Sequence, residues 1–297
     1  MAKENLVVIG GGAAGFFCAV NAARLNPELS VTILEKSTRV LSKVKVSGGG
    51  RCNVTHACSS ISDMARNYPR GGQFMKKAFH HFFVDDTIRW FDTRGVILKT
   101  ETDGRMFPVT DDSETIIRCF LNEAEKYGVV VKLRADVHGI RLSNGEFVID
   151  TDAGPISADK VCLAAGGLAK LEQADWLRLL DISLIDPAPS LFTFNIPYKP
   201  LHSLMGISVP EATVRIDDLK LSETGPVLIT HWGFSGPAVI KLSAWGARDL
   251  RAKNYQFHIS VNWAPDYHEQ SMLEWLREMR FSRSEEHTSE LQSRQYL

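Results

Sequence analysis

The sequence predicts an α/β fold: a Rossmann-type domain whose parallel sheet is interrupted by an antiparallel β-meander, with an inserted, mainly β cap domain behind it. Three observations carry this expectation. Leu6-Val7-Val8-Ile9 is a short apolar run with no polar face, as a strand buried on both sides of a parallel sheet requires. It runs straight into Gly10-Gly11-Gly12-Ala13-Ala14-Gly15, an alanine-rich helical stretch from Phe16 to Leu25, and a second apolar strand, Val31 to Leu34, ending in Glu35. Further on, short strands with an Asn144-Gly145 hairpin signal break the βαβ rhythm, and from about Asp186 the composition shifts again.

Strand, G-x-G-x-x-G, helix, strand and acid in that order form the full dinucleotide fingerprint. Gly10 allows the tight turn, Gly12 lets backbone approach a pyrophosphate, and Gly15 lets helix and strand pack closely. Ala13 and Ala14 sit at the helix N-terminus, whose N–H groups and positive dipole end face the phosphates. Glu35, 20 residues after Gly15, can accept hydrogen bonds from ribose hydroxyls, with Lys36 beside it. A carboxylate there repels a 2′-phosphate, so FAD or NAD is favoured over NADP.

Bulk properties narrow the classes. The 297 residues allow two domains, and 44% hydrophobic residues supply real cores. With 34 basic and 35 acidic residues, neither nucleic acid nor an anionic membrane is expected as a partner. The five cysteines form no C-x-x-C pair, so no metal site is expected and reduced thiols in a cytoplasmic protein are the simplest reading. No apolar run approaches membrane-spanning length, and the first strand leaves no room for a signal peptide. Arg283 to Ser293 resembles one reading frame of a sequencing adapter, so residues 282–297 are expected to be a non-native tail. Removing the two basic and three acidic residues of 283–297 leaves 32 of each sign, and the charge argument stands.

After Lys36, a second glycine run, Ser47-Gly48-Gly49-Gly50-Arg51-Cys52-Asn53, implies another place where backbone passes close to a flat or charged ligand. Arg51 can donate to a phosphate or a ring edge, and Asn53 can hydrogen-bond either way. Cys52, with no partner cysteine or histidine adjoining, reads as a small structural residue. Residues 61–99 read as helices, with Phe74, Ala78, Phe82 and Phe83 on one face. The adjacent His80 and His81 diverge and cannot chelate. Ser113 is expected to cap a helix carrying Ile116, Ile117, Phe120, Leu121 and Ala124, which Gly128 stops. Strands at 129–131, 137–142 and 147–149, with Ile156 following, form the meander, which closes on Lys160 to Gly167; the small Ala164-Ala165-Gly166-Gly167 end implies backbone packed against the first glycine loop. In the inserted domain, strand-like runs at 191–196, 207–216 and 227–230 precede a glycine turn, His231 to Pro237, then a helix from Ala238 to about Leu250 and a last helix from Pro265. The domains are therefore expected at 1–187 and 188–281.

Taken together, Gly10–Gly15 with Glu35-Lys36, the S-G-G-G-R-C-N run, Gly104-Arg105-Met106-Phe107-Pro108, Ala164–Gly167 and Thr230–Pro237 resemble a bacterial family of NAD(P)/FAD-dependent oxidoreductases, the aminoacetone oxidase-like, BaiN-type group. The similarity covers nearly all of 4–281. It implies FAD lying extended with its ADP half on Gly10–Gly15 and Glu35, the 47–53 segment on the flavin side, and backbone atoms of Val137 at the adenine. Two departures stand out. Ala165 replaces a threonine, and Gly167-Leu168-Ala169-Lys170 replaces a G-S-T-G-like segment. The resemblance also implies a return to the FAD domain after the insertion, which this sequence lacks.

The leading functional expectation is a flavin-dependent oxidoreductase exchanging hydride between FAD and a small organic substrate or NAD(P)H. No residue stands out as acid or base; His231 is the one weak nominee, with a structural role at least as plain. An NAD-dependent dehydrogenase is the first alternative, disfavoured by the meander. A flavin-bound RNA-modification protein is the second, disfavoured by the neutral charge.

Overall fold

The computed structural model describes residues 3–167 and 171–294, in two compact units, Met1–Pro187 and Ala188–Leu297. In the first, β1 (Asn5–Ile9), α1 (Ala13–Leu25) and β2 (Ser30–Glu35) are followed by a short α2 (Ser42–Val46), a 3-10 turn over Ser47–Gly50 and β3 (Thr55–His56). Then come α3 (Ile61–Arg66), α4 (Gly72–Phe79), α5 (Val84–Asp92), β4 (Leu98–Thr100), β5 (Arg105–Pro108) and α6 (Glu114–Lys126). After β6 (Val130–Leu133), the meander β7 (Val137–Ser143), β8 (Glu146–Thr151) and β9 (Gly154–Ala158) leads into β10 (Lys160–Leu163).

The central sheet is parallel, in the order β10-β1-β2-β6, with Val8 beside both Cys162 and Ile33. β1 has no polar face because both its faces are covered. Leu6 and Val8 pack on Phe16, Val20, Trp90 and Phe120 from the helices. Val7 and Ile9 pack on Ile140, Ile149 and Ala158 from the meander. The meander is thus the second layer of the sandwich, and Asn144-Gly145, both at positive φ, turns its first hairpin.

Several local expectations fail for tertiary reasons. The helical face drawn through Phe74, Ala78, Phe82 and Phe83 does not exist: α4 ends at Phe79, Phe74 is exposed, and Phe83 N donates to Asp86 Oδ2 to start α5. The stretch 61–99 also ends in a strand, since β4 begins at Leu98. Ser113 stands at the N-cap position of α6, but its side chain makes no capping hydrogen bond. Its buried hydroxyl donates to Lys45 O at 2.9 Å, while Asp112 Oδ1 accepts from Glu114 N. Leu121 of the expected apolar face is exposed.

The second unit contains β11 (Phe194–Asn195), α7 (Lys199–His202), β12 (Ser208–Ile216), β13 (Leu221–Thr230), β14 (Gly233–Ser235), α8 (Pro237–Trp245), α9 (Ala247–Ala252), β15 (Ile259–Asn262) and α10 (Glu269–Arg294). Its antiparallel sheet runs β11-β14-β13-β12-β15, with Val214, Ile216, Val227 and Ile229 packed on Val239 and Leu242 of α8. The helix expected over 238–250 is two helices broken at Gly246, and the last one starts at Glu269 rather than Pro265. It continues through the tail to Arg294; residues 295–297, and Leu168–Lys170 of the segment that departs from the family pattern, lie outside the described residues.

A Cβ built on Gly15 falls 1.9 Å from Gly10 O. Gly15→Ala is therefore expected to push α1 off β1 and destabilise the chain by about 3 kcal/mol or more, in the range of severe overpacking. Gly12→Ala, whose Cβ meets nothing within 4 Å, is expected to leave chemical unfolding unchanged. Urea denaturation of both variants checks the contrast.

Candidate dinucleotide site

The site is assembled at the C-terminal ends of β1, β2 and β10, where ligands of open parallel sheets bind. Gly10 N donates to Leu34 O, and Ala164 N donates to Ile9 O, both at 2.8 Å. The turn at Gly10 has φ +114°, and a Cβ there would lie 2.3 Å from Ala164 O. Backbone therefore packs on backbone where the sequence has small residues on both sides. Beyond it, Gly12 opens into empty space, and α1 starts with no side-chain cap and no acidic residue in its first turn. Ala13 and Ala14 are exposed at that end. The first-turn N–H groups lack intrahelical partners and face outward, the arrangement that accepts a phosphate.

Glu35 has a task that the sequence did not show. Its Oε2 accepts from Gly11 N at 2.8 Å and its Oε1 from Ser37 N at 2.9 Å, so the carboxylate clamps the glycine loop to the end of β2. Burial pushes the carboxyl up, but the hydrogen bonds from Ser37 and Gly11, with the Lys36 charge, outweigh it and hold it below its ordinary value. Each oxygen keeps a lone pair for a ribose hydroxyl. Lys36 follows it on the surface, and Val137 lies two residues beyond Ala135, whose N–H donates to Glu35 O at 3.0 Å. The meander thus begins beside the acid.

The second glycine run is a concave turn. Gly48, Gly49 and Gly50 have φ of +56°, +71° and +88° in succession, a backbone that gathers N–H groups on one side. Gly48 is locked, since a Cβ would lie 2.7 Å from the Phe107 ring and 2.8 Å from Asn53 N, whereas Gly49 and Gly50 meet nothing within 4 Å. The flanking side chains brace this turn. Arg51 lies with its guanidinium 4.0 Å from the centroid of the Phe107 ring and pairs with Glu101 at 2.5 Å and Asp111 at 3.6 Å. Lys99, then Arg51, holds the Asp111 carboxyl below its ordinary range. Asn53, its amide oriented by the hydrogen-bond network, donates to Thr55 O and Met106 O. Ser47 donates to Val44 O, and the buried Cys52 thiol is pushed up by burial despite a hydrogen bond with Ser47.

The structure thus brings Gly10–Gly15, Glu35 and Ala164 together at one sheet end, with the exposed Ala165, Gly166 and Gly167 continuing from it. His231 stands apart from this group in chain and unit, in the β13–β14 turn with its ring centroid 3.9 Å from that of Trp232. Sequence reasoning missed Glu101 and Asp111 as partners of Arg51. Their only signal was two acids flanking the Gly104–Pro108 motif. Cys18 is pushed up to about 11, by burial first and then by a hydrogen bond with Cys162. Among the described residues no cluster of three or more His, Cys, Asp or Glu could hold a metal, and no helix is long and apolar enough to cross a membrane.

Two measurements test these assignments. Arg51→Ala is expected to lower the melting temperature with no dinucleotide added, through the lost stacking and ion pairs. An unchanged melting temperature would make Arg51 a ligand contact instead. For Glu35, the folded carboxyl lies below its unfolded value, so its stabilisation is present above the ordinary carboxylate range and disappears as pH falls through the folded value. The stability gap between the unaltered chain and Glu35→Gln should accordingly be widest near neutrality and close in acid, as thermal unfolding across pH will show.

Residues 4–173 match the HI0933-like protein Rossmann domain, and residues 188–294 match the HI0933-like protein barrel and H2TH domain. Among characterised proteins, the chain is similar to a 3-dehydro-bile acid delta(4,6)-reductase of Clostridium scindens, 26% identical over 89% of this chain and 65% of that one. It is also similar to a ribosomal RNA dihydrouridine synthase of Haemophilus influenzae, 30% identical over 81% of this chain and 61% of that one. It therefore spans a little under two thirds of the length of these relatives. Among solved structures, a 3-ketosteroid-delta4-(5alpha)-dehydrogenase from Rhodococcus jostii aligns over 73% of this chain and 57% of that one, at 12% identity and a TM-score of 0.42. With both units matched over almost their whole length, the chain belongs to the HI0933-like protein family.

Proposed function

We propose that this chain is the FAD-binding and cap portion of a cytoplasmic oxidoreductase of the aminoacetone oxidase-like kind. On this reading it exchanges hydride between FAD and a small organic substrate or NAD(P)H. The observation that carries the reading is the open cradle at Gly12: an uncapped helix N-terminus, a carboxylate-clamped glycine loop and a second open glycine turn at Gly49-Gly50 in one unit. The residues fit a dinucleotide. Gly12 and the first turn of α1 would take the diphosphate, Glu35 the adenosine ribose, and Gly49-Gly50 the flavin end. The flavin, when bound, supplies the redox chemistry. This chain's own contribution is binding and orientation: N–H groups aimed at phosphates, and a carboxylate that excludes a 2′-phosphate. The meander, packed as a second layer under β1, supports FAD over a plain NAD domain, which continues with helical crossovers.

A second reading has specific support. The names of two relatives, both ribosomal RNA dihydrouridine synthases, favour the same cofactor acting on RNA. The balance of 34 basic and 35 acidic residues favours the small substrate.

The visible spectrum of the purified chain after refolding with FAD tests the cofactor. Flavin bands that survive gel filtration and yield free FAD on denaturation are expected, and Gly12→Ala should lose them while staying folded. A colourless protein that retains NAD instead would move the dehydrogenase reading forward, and salt-sensitive retention of ribosomal RNA would favour the RNA reading.

A further inference from the structure

Five cations lie between Glu35 and Cys52 in the chain: Lys36, Arg39, Lys43, Lys45 and Arg51. Two are already neutralised. Lys45 pairs with Glu114 at 2.9 Å and Asp112 at 3.9 Å, and Arg51 with Glu101 and Asp111. Lys36 and Arg39 are exposed in the segment that follows Glu35. Lys43, in the first turn of α2, has no ion-pair partner among the described residues, and its ammonium lies 3.5 Å from where a Cβ of Gly166 would sit.

Its position follows from how the glycine loop is clasped. Leu41 N donates to Gly11 O at 2.8 Å, fixing the start of α2 against the loop. Ala164 N donates to Ile9 O, and Ala164 O touches Gly10, fixing the end of β10 against the other side. Two residues beyond Leu41 comes Lys43, and two residues beyond Ala164 comes Gly166. The two segments therefore meet across the mouth of the loop, with the ammonium over a glycine that offers no side chain. A diphosphate held at Gly12 brings two negative charges there. Against them stand the partial positive charge of the α1 N-terminus, about half an elementary charge, and the nearby negative charge of Glu35.

We propose that Lys43 is a contact for the diphosphate of the bound dinucleotide and supplies the cation that Arg51, held by its carboxylates, cannot. The proposal rests on the dinucleotide reading above. Lys43 is exposed on a short helix, so its removal leaves the core untouched.

The test compares ADP, which carries the diphosphate, with adenosine, which does not, by calorimetric titration of the full chain. Lys43→Gln should weaken ADP about tenfold, the usual worth of one charge-assisted hydrogen bond. It should also flatten the salt dependence of ADP binding and leave adenosine unchanged. Lys43→Arg should bind ADP nearly as the unaltered chain does, and Lys45→Gln should match it. Equal ADP affinity in Lys43→Gln overturns the assignment, as does an equal loss for ADP and adenosine, which would mark a structural disturbance. If the unaltered chain binds neither ADP nor FAD, the dinucleotide reading and the role of Lys43 fall together. ADP binding that survives Lys43→Gln removes only the latter.

Discussion

The contact on which the first unit depends is a stack of three backbone segments: Ala164 O on Gly10, and Gly10 O on Gly15. No side chain intervenes at either approach. Because a Cβ at Gly10 or Gly15 would lie about 2 Å from a carbonyl oxygen, the two glycines fix how closely α1 and β10 approach β1. Much else follows from this distance. The end of β10 must carry small residues, so the meander can change length or composition but must deliver Ala164 to one place. The three strand ends then open on the same side, which leaves Gly12 facing empty space rather than packed protein.

Around that contact, backbone and side chains divide the work. Backbone lies open at the first turn of α1 and at Gly49 and Gly50. Side chains hold the backbone in shape: Glu35 through Gly11 and Ser37, Asn53 through Thr55 and Met106, Arg51 through Phe107 and two carboxylates. Three consecutive residues at positive φ lose conformational entropy even as glycines. The stacked arginine and the ring against Gly48 oppose that cost. A charged residue in a glycine-rich motif can brace the backbone of its own loop, and Arg51 does so through Phe107, Glu101 and Asp111.

What the sequence made legible is what is decided locally. A glycine required by a close approach, an Asn-Gly turn at positive φ and a strand apolar on both faces carry their reasons within a few residues, so β1, α1, β2 and the first meander hairpin lie where they were expected. The failures are residues whose partners are distant in the chain. Ser113 has the chemistry of a cap, but Lys45 O, 68 residues away, takes its hydroxyl. Arg51 has the chemistry of a phosphate donor, and nothing near it in the chain announced Glu101, 50 residues away, as a partner of its guanidinium. The apolar spacing from Phe74 to Phe83 suits one helix, yet Asp86 accepts from the Phe83 N–H and starts a new one. In each case propensity named a capable group, and the fold chose its partner.

Glu35 shows why the loop can be ready before any ligand arrives. Were Gly11 N–H left for the cofactor to satisfy, the loop would have to order on binding, and part of the interaction energy would go into that ordering. Because the carboxylate already accepts from Gly11 and Ser37, the loop's shape depends only on residues of this chain. The same hydrogen bonds hold the carboxyl below its ordinary value. The group that shapes the loop therefore also keeps a negative charge at the end of β2. The shape of the loop and the charge beside it are two effects of one ionised side chain, and neither can be altered without the other.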